Sequence, residues 1–406
     1  MKKRYISFLV LVLVIVASAC SNNSKAETKL SSKDITLVTQ VIDKGEVGAA
    51  VILTYSDTLT GSNLNQASFS VFAGDKSRTI KAIYTSEKAE VGTPTAKGKY
   101  VILELDPNDS NASTLTFDIK KFVNTRTNLA YTVKQNKSLT VSNKDYSATS
   151  PINIKEIASP DLDMFQEGMY TEGKQDMAYR LFEPVKDDTK KPLVVFLHGS
   201  GERGNDNKLQ LLGTDGPVTF AAPTFQGTTP SYVLAPQVAW DEERNGWFAD
   251  GQTETVKQLI DSLLVKYKDI DTSRIYITGV SNGGTGTWKM IVENPNFFAA
   301  AVPIAGYMYH KDATFITQGT ARYLAPNQTD ATKIKNMPIW AFQAEDDPVN
   351  SVNGSLEAVA AIKKAGSTFI QMTEYPSGLV APNPHASWEK AYNNAQLLNW
   401  LISQHK

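Results

Sequence analysis

A serine hydroxyl attacks a carbonyl only when a base takes its proton and an acid orients that base. Three stretches of this chain carry those residue types in a suitable order. The first is Gly279-Val280-Ser281-Asn282-Gly283-Gly284, directly after the β-rich run Arg274-Ile275-Tyr276-Ile277-Thr278. Glycines around the serine allow a sharp strand-to-helix turn that presents the hydroxyl, in a place where a Cβ would clash. Ser281 is the expected nucleophile.

The base follows by elimination among four histidines. His405 is one residue from the C-terminus. His198 opens His198-Gly199-Ser200-Gly201 after an apolar run and suits a loop that presents backbone donors. His310 follows Ile304-Ala305-Gly306-Tyr307-Met308-Tyr309 and reads either as a pocket-lining residue or as a satisfied polar one. His385, in Pro382-Asn383-Pro384-His385-Ala386-Ser387-Trp388, precedes the last helix, and the chain order Ser…Asp…His selects it as the base.

For the acid, Ile339-Trp340-Ala341-Phe342-Gln343-Ala344 reads as a buried strand that ends in Glu345-Asp346-Asp347-Pro348-Val349. Asp347 is preferred because Pro348 stiffens the loop behind it, with Asp346 as the competitor. A tetrahedral intermediate also needs preorganised donors for its oxyanion. The expected ones are the backbone N–H of Asn282 and that of Ser200, with Gly201 as the alternative to the latter.

The elements that must position these groups have their own signature. After Ser159-Pro160, apolar runs at 193–197, 232–234, 275–278, 300–304, 339–342 and 369–373 alternate with helical patterns. Val256, Leu259, Ile260, Leu263, Leu264 and Tyr267 recur at helical spacing, and residues 354–364 form another helix stopped by Gly366. The alternation predicts, over residues 160–406, an α/β domain with a mostly parallel sheet and helices on both faces. Sites in such sheets lie at the carboxyl ends of strands, where Ser281 falls. Residues 35–150 instead show short alternating runs divided by turns, such as Ser68-Phe69-Ser70-Val71-Phe72 and Leu115-Thr116-Phe117-Asp118-Ile119. They predict an all-β sandwich. It holds no histidine, and its expected role is to position or shield the other domain.

Met1-Lys2-Lys3-Arg4, an apolar stretch over 5–16 and Ala17-Ser18-Ala19-Cys20 have the shape of an export signal over residues 1–19. Either it is a plain secretory signal, or Cys20 is lipidated and becomes the mature N-terminus. The second reading is preferred, because the single cysteine of the chain sits where lipidation needs it. Polar residues 20–34 then form a tether, and the protein is expected at the outer face of a bacterial membrane. A net charge of −1, without any long like-charge run, argues against a nucleic-acid partner. Scattered histidines suggest no metal, and the chemistry calls for no cofactor.

Phe196-Leu197-His198-Gly199-Ser200-Gly201-Glu202-Arg203-Gly204, Ile277 to Gly284, Glu345 to Val349 and His385 to Trp388 each resemble, in the right order, a site stretch of a known family. Residues 164–406 resemble the polyhydroxybutyrate-depolymerase/feruloyl-esterase-like (phospholipase/carboxylesterase) branch of the α/β-hydrolases, also described as prolyl-oligopeptidase-like. Residues 35–141 resemble the immunoglobulin-like domain that precedes the catalytic domain in some bacterial esterases, chiefly through Tyr100 to Asp109. The resemblance implies an α/β-hydrolase fold preceded by an immunoglobulin-like sandwich. It also implies a serine esterase that cleaves small-molecule or polymeric carboxylic esters through an acyl-enzyme, with Ser281, Asp347 and His385 as its triad. Two departures stand out. Asn282 replaces the usual methionine or glutamine, where only the backbone N–H is used. Gln343-Ala344 replaces His-Gly, which alters how the acid loop turns.

Trp240, Trp247 and Phe248, in the loop 239–249, read as the lining of an acyl or aryl pocket or as lid packing. Two other functions fit the fold. One is a prolyl-oligopeptidase-like serine peptidase, disfavoured because the β-region is too short for a propeller. The other is a non-catalytic, surface-binding lipoprotein that keeps a hydrolase fold.

Overall fold

A strand covered on both faces is apolar at successive positions, not alternate ones. Lys191–Leu197 is buried along its whole length, and it lies at the middle of an eight-stranded sheet. The computed structural model describes residues 27–61, 64–141, 144–172, 175–240, 246–308 and 325–406. The expected signal segment, Cys20 and His310 lie outside the described residues.

The strands of this sheet are β1 (Gln166–Tyr170), β2 (Met177–Phe182), β3 (Lys191–Leu197), β4 (Tyr232–Gln237), β5 (Ile270–Val280), β6 (Ala300–Ile304), β7 (Ile339–Ala344) and β8 (Ile370–Tyr375). Their spatial order is β1-β2-β4-β3-β5-β6-β7-β8. The β1/β2 and β2/β4 pairs are antiparallel, and from β4 to β8 every pair is parallel. Side chains alternate between two cores. Leu193, Val195, Leu197, Ile275 and Ile277 point to one, and Val194, Phe196, Tyr276 and Val280 to the other.

Helices α1 (Gln252–Lys266), α2 (Asn282–Glu293) and α3 (Val352–Lys364) cover the first face. Helix α4 (Ala395–Ile402) and the short helices Leu209–Leu212 and Gly216–Ala221 cover the second. Gly366, at φ +98°, ends α3 in a conformation that L side chains rarely adopt.

The N-terminal part is a sandwich. One sheet orders Glu156–Ala158, Ile35–Ile42, Gly45–Thr60, Lys97–Leu105 and Ile80–Ser86; the other orders Ile152–Asn153, Tyr131–Gln135, Phe69–Ala73 and Lys76–Arg78. Leu37, Val51, Leu53, Val101 and Leu103 pack against Phe69, Val71, Tyr131 and Val133 between them. Two short strands from the segment after residue 150 add to these sheets. Ile152 pairs with Val133, and Ile157 runs parallel to Leu37. Such short strands have no alternation to read; their partners, far away in sequence, define them.

A two-stranded hairpin, Leu115–Asp118 with Val123–Arg126, joins the two domains. The Asn124 amide donates to Glu202 Oε1 at 2.9 Å, and the Trp240 indole N–H donates to the Lys121 carbonyl at 3.0 Å. At the root of the hairpin, Arg126 pairs with Glu46 at 2.6 Å and also donates to Ser159 Oγ at 2.6 Å. The Glu46 side chain is fully buried, so losing its cation would strand a charge away from water. Arg126→Ala should therefore destabilise the fold by about 3 kcal/mol, read as a lowered urea midpoint. Arg126→Lys should recover part of that loss.

Candidate active site

Ser281 sits at φ 54° and ψ −116°, between the end of β5 and the start of α2. The left-handed φ is strained for a serine, and its surroundings enforce it. A Cβ on Gly279 would come within 2.3 Å of the Gly283 carbonyl oxygen, and one on Gly283 within 1.9 Å of the Leu197 carbonyl oxygen. The Ser281 N–H donates to the Ile304 carbonyl at 2.9 Å, which ties the turn to β6.

His385 Nε2 lies 2.8 Å from Ser281 Oγ, and His385 Nδ1 lies 2.9 and 3.0 Å from the two Asp347 oxygens. A proton on Nδ1, donated to the carboxylate, leaves the Nε2 lone pair facing the hydroxyl, as a general base requires. The Asp347 side chain is fully buried. Its Oδ1 accepts the N–H groups of Val349 at 2.8 Å and Asn350 at 3.0 Å. Asp346 points elsewhere and accepts the Gly378 N–H at 2.8 Å. Of the two candidate acids, Asp347 is the one against His385.

Three further residues support the acid loop, and motif reading did not single them out for this role. Gln343 donates to Asp347 Oδ2 at 3.3 Å and to the Asn350 carbonyl at 2.5 Å. Ser355, on α3, donates to Gln343 Oε1 at 2.5 Å. The Asn350 amide donates to the Ala305 carbonyl at 2.7 Å. The available signal was Gln343 itself, a polar residue in an otherwise apolar strand.

On the other side of the serine, the loop after β3 touches Ser281: a Cβ on Gly199 would lie 3.6 Å from Ser281 Cβ. Asn282 opens α2 and Ser200 opens a single 3-10 turn, Ser200–Glu202. First-turn N–H groups have no acceptor within their own helix and favour negative charge. Gly201 packs against the hairpin, where a Cβ would come within 2.8 Å of Asn124 Nδ2. The Asn282 side chain has a use beyond that of its backbone N–H. It donates to Ser200 Oγ at 3.1 Å and accepts the Trp247 N–H at 3.0 Å, so it couples the two loops.

Of the two readings of Trp247, pocket lining and packing, its burial fits packing. It is 0% exposed in the core, and its indole donates to the His198 carbonyl at 2.8 Å. Its bulk supports the loop from below. His198 is buried too: Nδ1 is 2.6 Å from the Gly199 carbonyl, and Nε2 accepts the Val238 N–H at 3.1 Å. Burial holds its pKa down to about 3, so the ring stays neutral and braces the loop. Trp240 is half-buried against the hairpin.

An activated hydroxyl, an oriented imidazole and two helix-start N–H groups together suit acyl transfer through a tetrahedral intermediate.

Residues 34–148 match the family described as the esterase Ig-like N-terminal domain, and residues 240–403 match the prolyl oligopeptidase family. The crystal structure of a thermostable esterase is 35% identical, covers 92% of this chain and 100% of its own, and superposes with a TM-score of 0.82. Poly(3-hydroxyalkanoate) depolymerase C of Paucimonas lemoignei is 32% identical over 139 residues, 31% of this chain and 30% of that protein. An uncharacterized secreted protein of Arthroderma benhamiae is 35% identical over 128 residues, 29% of this chain and 12% of that protein. The chain thus spans less than a third of the length of either curated relative.

Glu202, beside this loop, yields a measurable consequence. Burial pushes its carboxyl from an ordinary 4.5 up to about 7, against the opposing hydrogen bond from Asn124. The folded state thus holds this proton more tightly than the unfolded chain. Its stabilising contribution is complete below pH 4.5 and is lost as pH rises through about 7. Glu202→Gln keeps an acceptor for Asn124 and has no charge to bury. The variant should match the parent in Tm at pH 4 and exceed it at pH 8; equal Tm differences at both would contradict this.

Proposed function

We propose that this chain, which belongs to the esterases that carry an Ig-like N-terminal domain, hydrolyses carboxylic esters through an acyl-enzyme on Ser281. The observation that carries the reading is the unbroken hydrogen-bonded line Ser281–His385–Asp347. Ser281 Oγ attacks the ester carbonyl carbon while its proton passes to His385 Nε2. The carbonyl oxygen gains the negative charge and is held by the Asn282 and Ser200 N–H groups. Collapse expels the alcohol, which takes the proton from His385, and leaves an acyl-serine. Water then attacks with His385 as base, and the carboxylic acid leaves. Asp347 keeps the imidazole in its tautomer and stabilises the imidazolium as it forms.

The prolyl oligopeptidase match over residues 240–403 makes peptides the competing substrate class. Turnover of p-nitrophenyl acetate, without turnover of a Pro-containing chromogenic peptide, decides for esters. The same purified protein should be labelled by a fluorophosphonate at Ser281, and lack of labelling at neutral pH would sink the reading. Ser281→Ala and His385→Ala should each lower kcat by roughly a millionfold, with the double variant hardly worse, because the residues act as a unit. Small, additive losses would break the assignment.

We propose also that the protein is exported and held at the cell envelope by lipid on Cys20, on the strength of the basic, apolar and small-residue segments before it. Multiple acyl chains hold a protein firmly where one does so only marginally. Cys20→Ser should move the expressed protein from the membrane fraction to the soluble one and abolish palmitate incorporation; unchanged partition would contradict a lipid anchor.

A further inference from the structure

We propose that Glu345 and Asp346 are positioning residues for the base: they clasp the turn 376–379 to the acid loop and so fix the segment that carries His385. The proposal rests on the reading of Ser281, His385 and Asp347 as the reacting unit.

Consecutive carboxylates repel one another, and the triad needs only one of the run Glu345-Asp346-Asp347. In the folded loop each has its own donors. Asp347 takes His385 and the N–H groups of Val349 and Asn350. Glu345 Oε2 accepts the Ser377 N–H at 3.1 Å and the Ser377 hydroxyl at 2.9 Å. Asp346 Oδ2 accepts the Gly378 N–H at 2.8 Å. The Glu345 N–H donates back to the Tyr375 carbonyl at 2.9 Å. The end of β7 is thus closed onto the residues that follow β8, largely through bonds to carboxylate oxygens, which are stronger than neutral ones.

The clasped turn leads to His385 through a short, stiff connector. The Leu379 N–H donates to the Pro376 carbonyl at 3.0 Å, and Gly378 takes a φ of +79° that glycine adopts without strain. Val380 is buried, Pro382 and Pro384 have fixed φ, and the Ala386 N–H donates to the Asn383 carbonyl at 2.9 Å. Beyond the histidine, Ala386 and Ser387 are buried, and the Trp388 ring meets the imidazole edge on, with centroids 5.2 Å apart. A connector with so few free torsions passes a shift of the turn on to the imidazole.

The second oxygen of Asp346, Oδ1, is buried without a partner among the described residues. An unpaired buried acceptor costs about as much stability as a hydrogen bond of this kind contributes. The net effect of Asp346 is therefore on where the turn lies and less on how stable the fold is. Position is what the base requires, since a small misplacement from Ser281 Oγ costs rate steeply.

The test uses the full chain, with p-nitrophenyl acetate as substrate at a temperature well below Tm. Asp346→Ala should lower kcat roughly tenfold, with KM within about twofold of the parent. Fluorophosphonate labelling of Ser281 should slow by the same factor. Asp346→Asn keeps an acceptor for Gly378 and should restore most of the lost kcat. Glu345→Ala, at an exposed position, reads the same clasp through Ser377 and should also lower kcat at constant KM, even where Asp346→Ala does not fold. A lowered Tm with unchanged kcat in these variants overturns the proposal, as does an equal loss of kcat in Asp346→Asn and Asp346→Ala. Failure of the underlying reading looks different. A loss in Asp346→Ala as deep as that in His385→Ala would assign the acid to Asp346, and a parent that escapes labelling and turns over no ester would remove the triad altogether.

Discussion

The close crossing of α2 over the end of β3 is the contact on which the site depends. Gly283 lies so near Leu197 that a Cβ there would come within 1.9 Å of its carbonyl oxygen. Only at this separation does the start of α2 lie beside the loop that follows β3. The same crossing forces Ser281 into a left-handed φ of 54°. Strain of this kind persists only where surrounding structure over-determines it. Here the Ser281 N–H is bonded to Ile304, and the Asn282 side chain links Ser200 to Trp247. The Ser281 side chain and the first N–H groups of α2 and of the Ser200 turn are consequently set by backbone geometry.

The acid side of the site is built differently. His385 and Asp347 come from loops, and loops are accurate only when something rigid braces them. The brace is a relay of hydrogen bonds from α3 through Ser355 and Gln343 to Asp347 and Asn350, with Asn350 also tied to Ala305. Gln343 is 0% exposed, and a buried amide without partners would be costly. Its amide therefore both needs this loop conformation and enforces it. The Gln343-Ala344 departure is thus the site of an alternative brace, not a defect in the loop.

The Ig-like domain is part of the same construction. Its hairpin meets the catalytic domain at Glu202, a buried carboxyl beside the oxyanion loop, through an amide that belongs to the other domain. Arg203, 0% exposed, donates to the Ser200 carbonyl at 2.9 Å and to the Phe122 carbonyl at 3.4 Å, and so connects the loop to the hairpin. The loop that carries Ser200 is in this way packed between two domains.

Residue type, spacing and chain order pointed to Ser281, His385 and the acidic pair at the end of β7, which the fold brings together, and predicted the α/β domain after a β-sandwich that the structure shows. These features are local or periodic: a glycine-flanked turn, alternating β and α patterns, and scarce histidines that permit elimination. Sequence could not choose between Asp346 and Asp347 on more than the stiffness of Pro348, since adjacent carboxylates differ only in where the folded loop aims them. It left Trp247 open, because an aromatic in a loop reads alike whether it faces a pocket or, as here, the core under His198. It gave no sign of the strands 152–153 and 156–158, which exist only through pairing with distant partners. Gln343, Asn124 and Glu202 act through hydrogen bonds that close only when separate elements and two domains meet. Spacing along a chain carries the order of chemical groups, whereas the distances that let them act arise from packing between segments far apart in sequence.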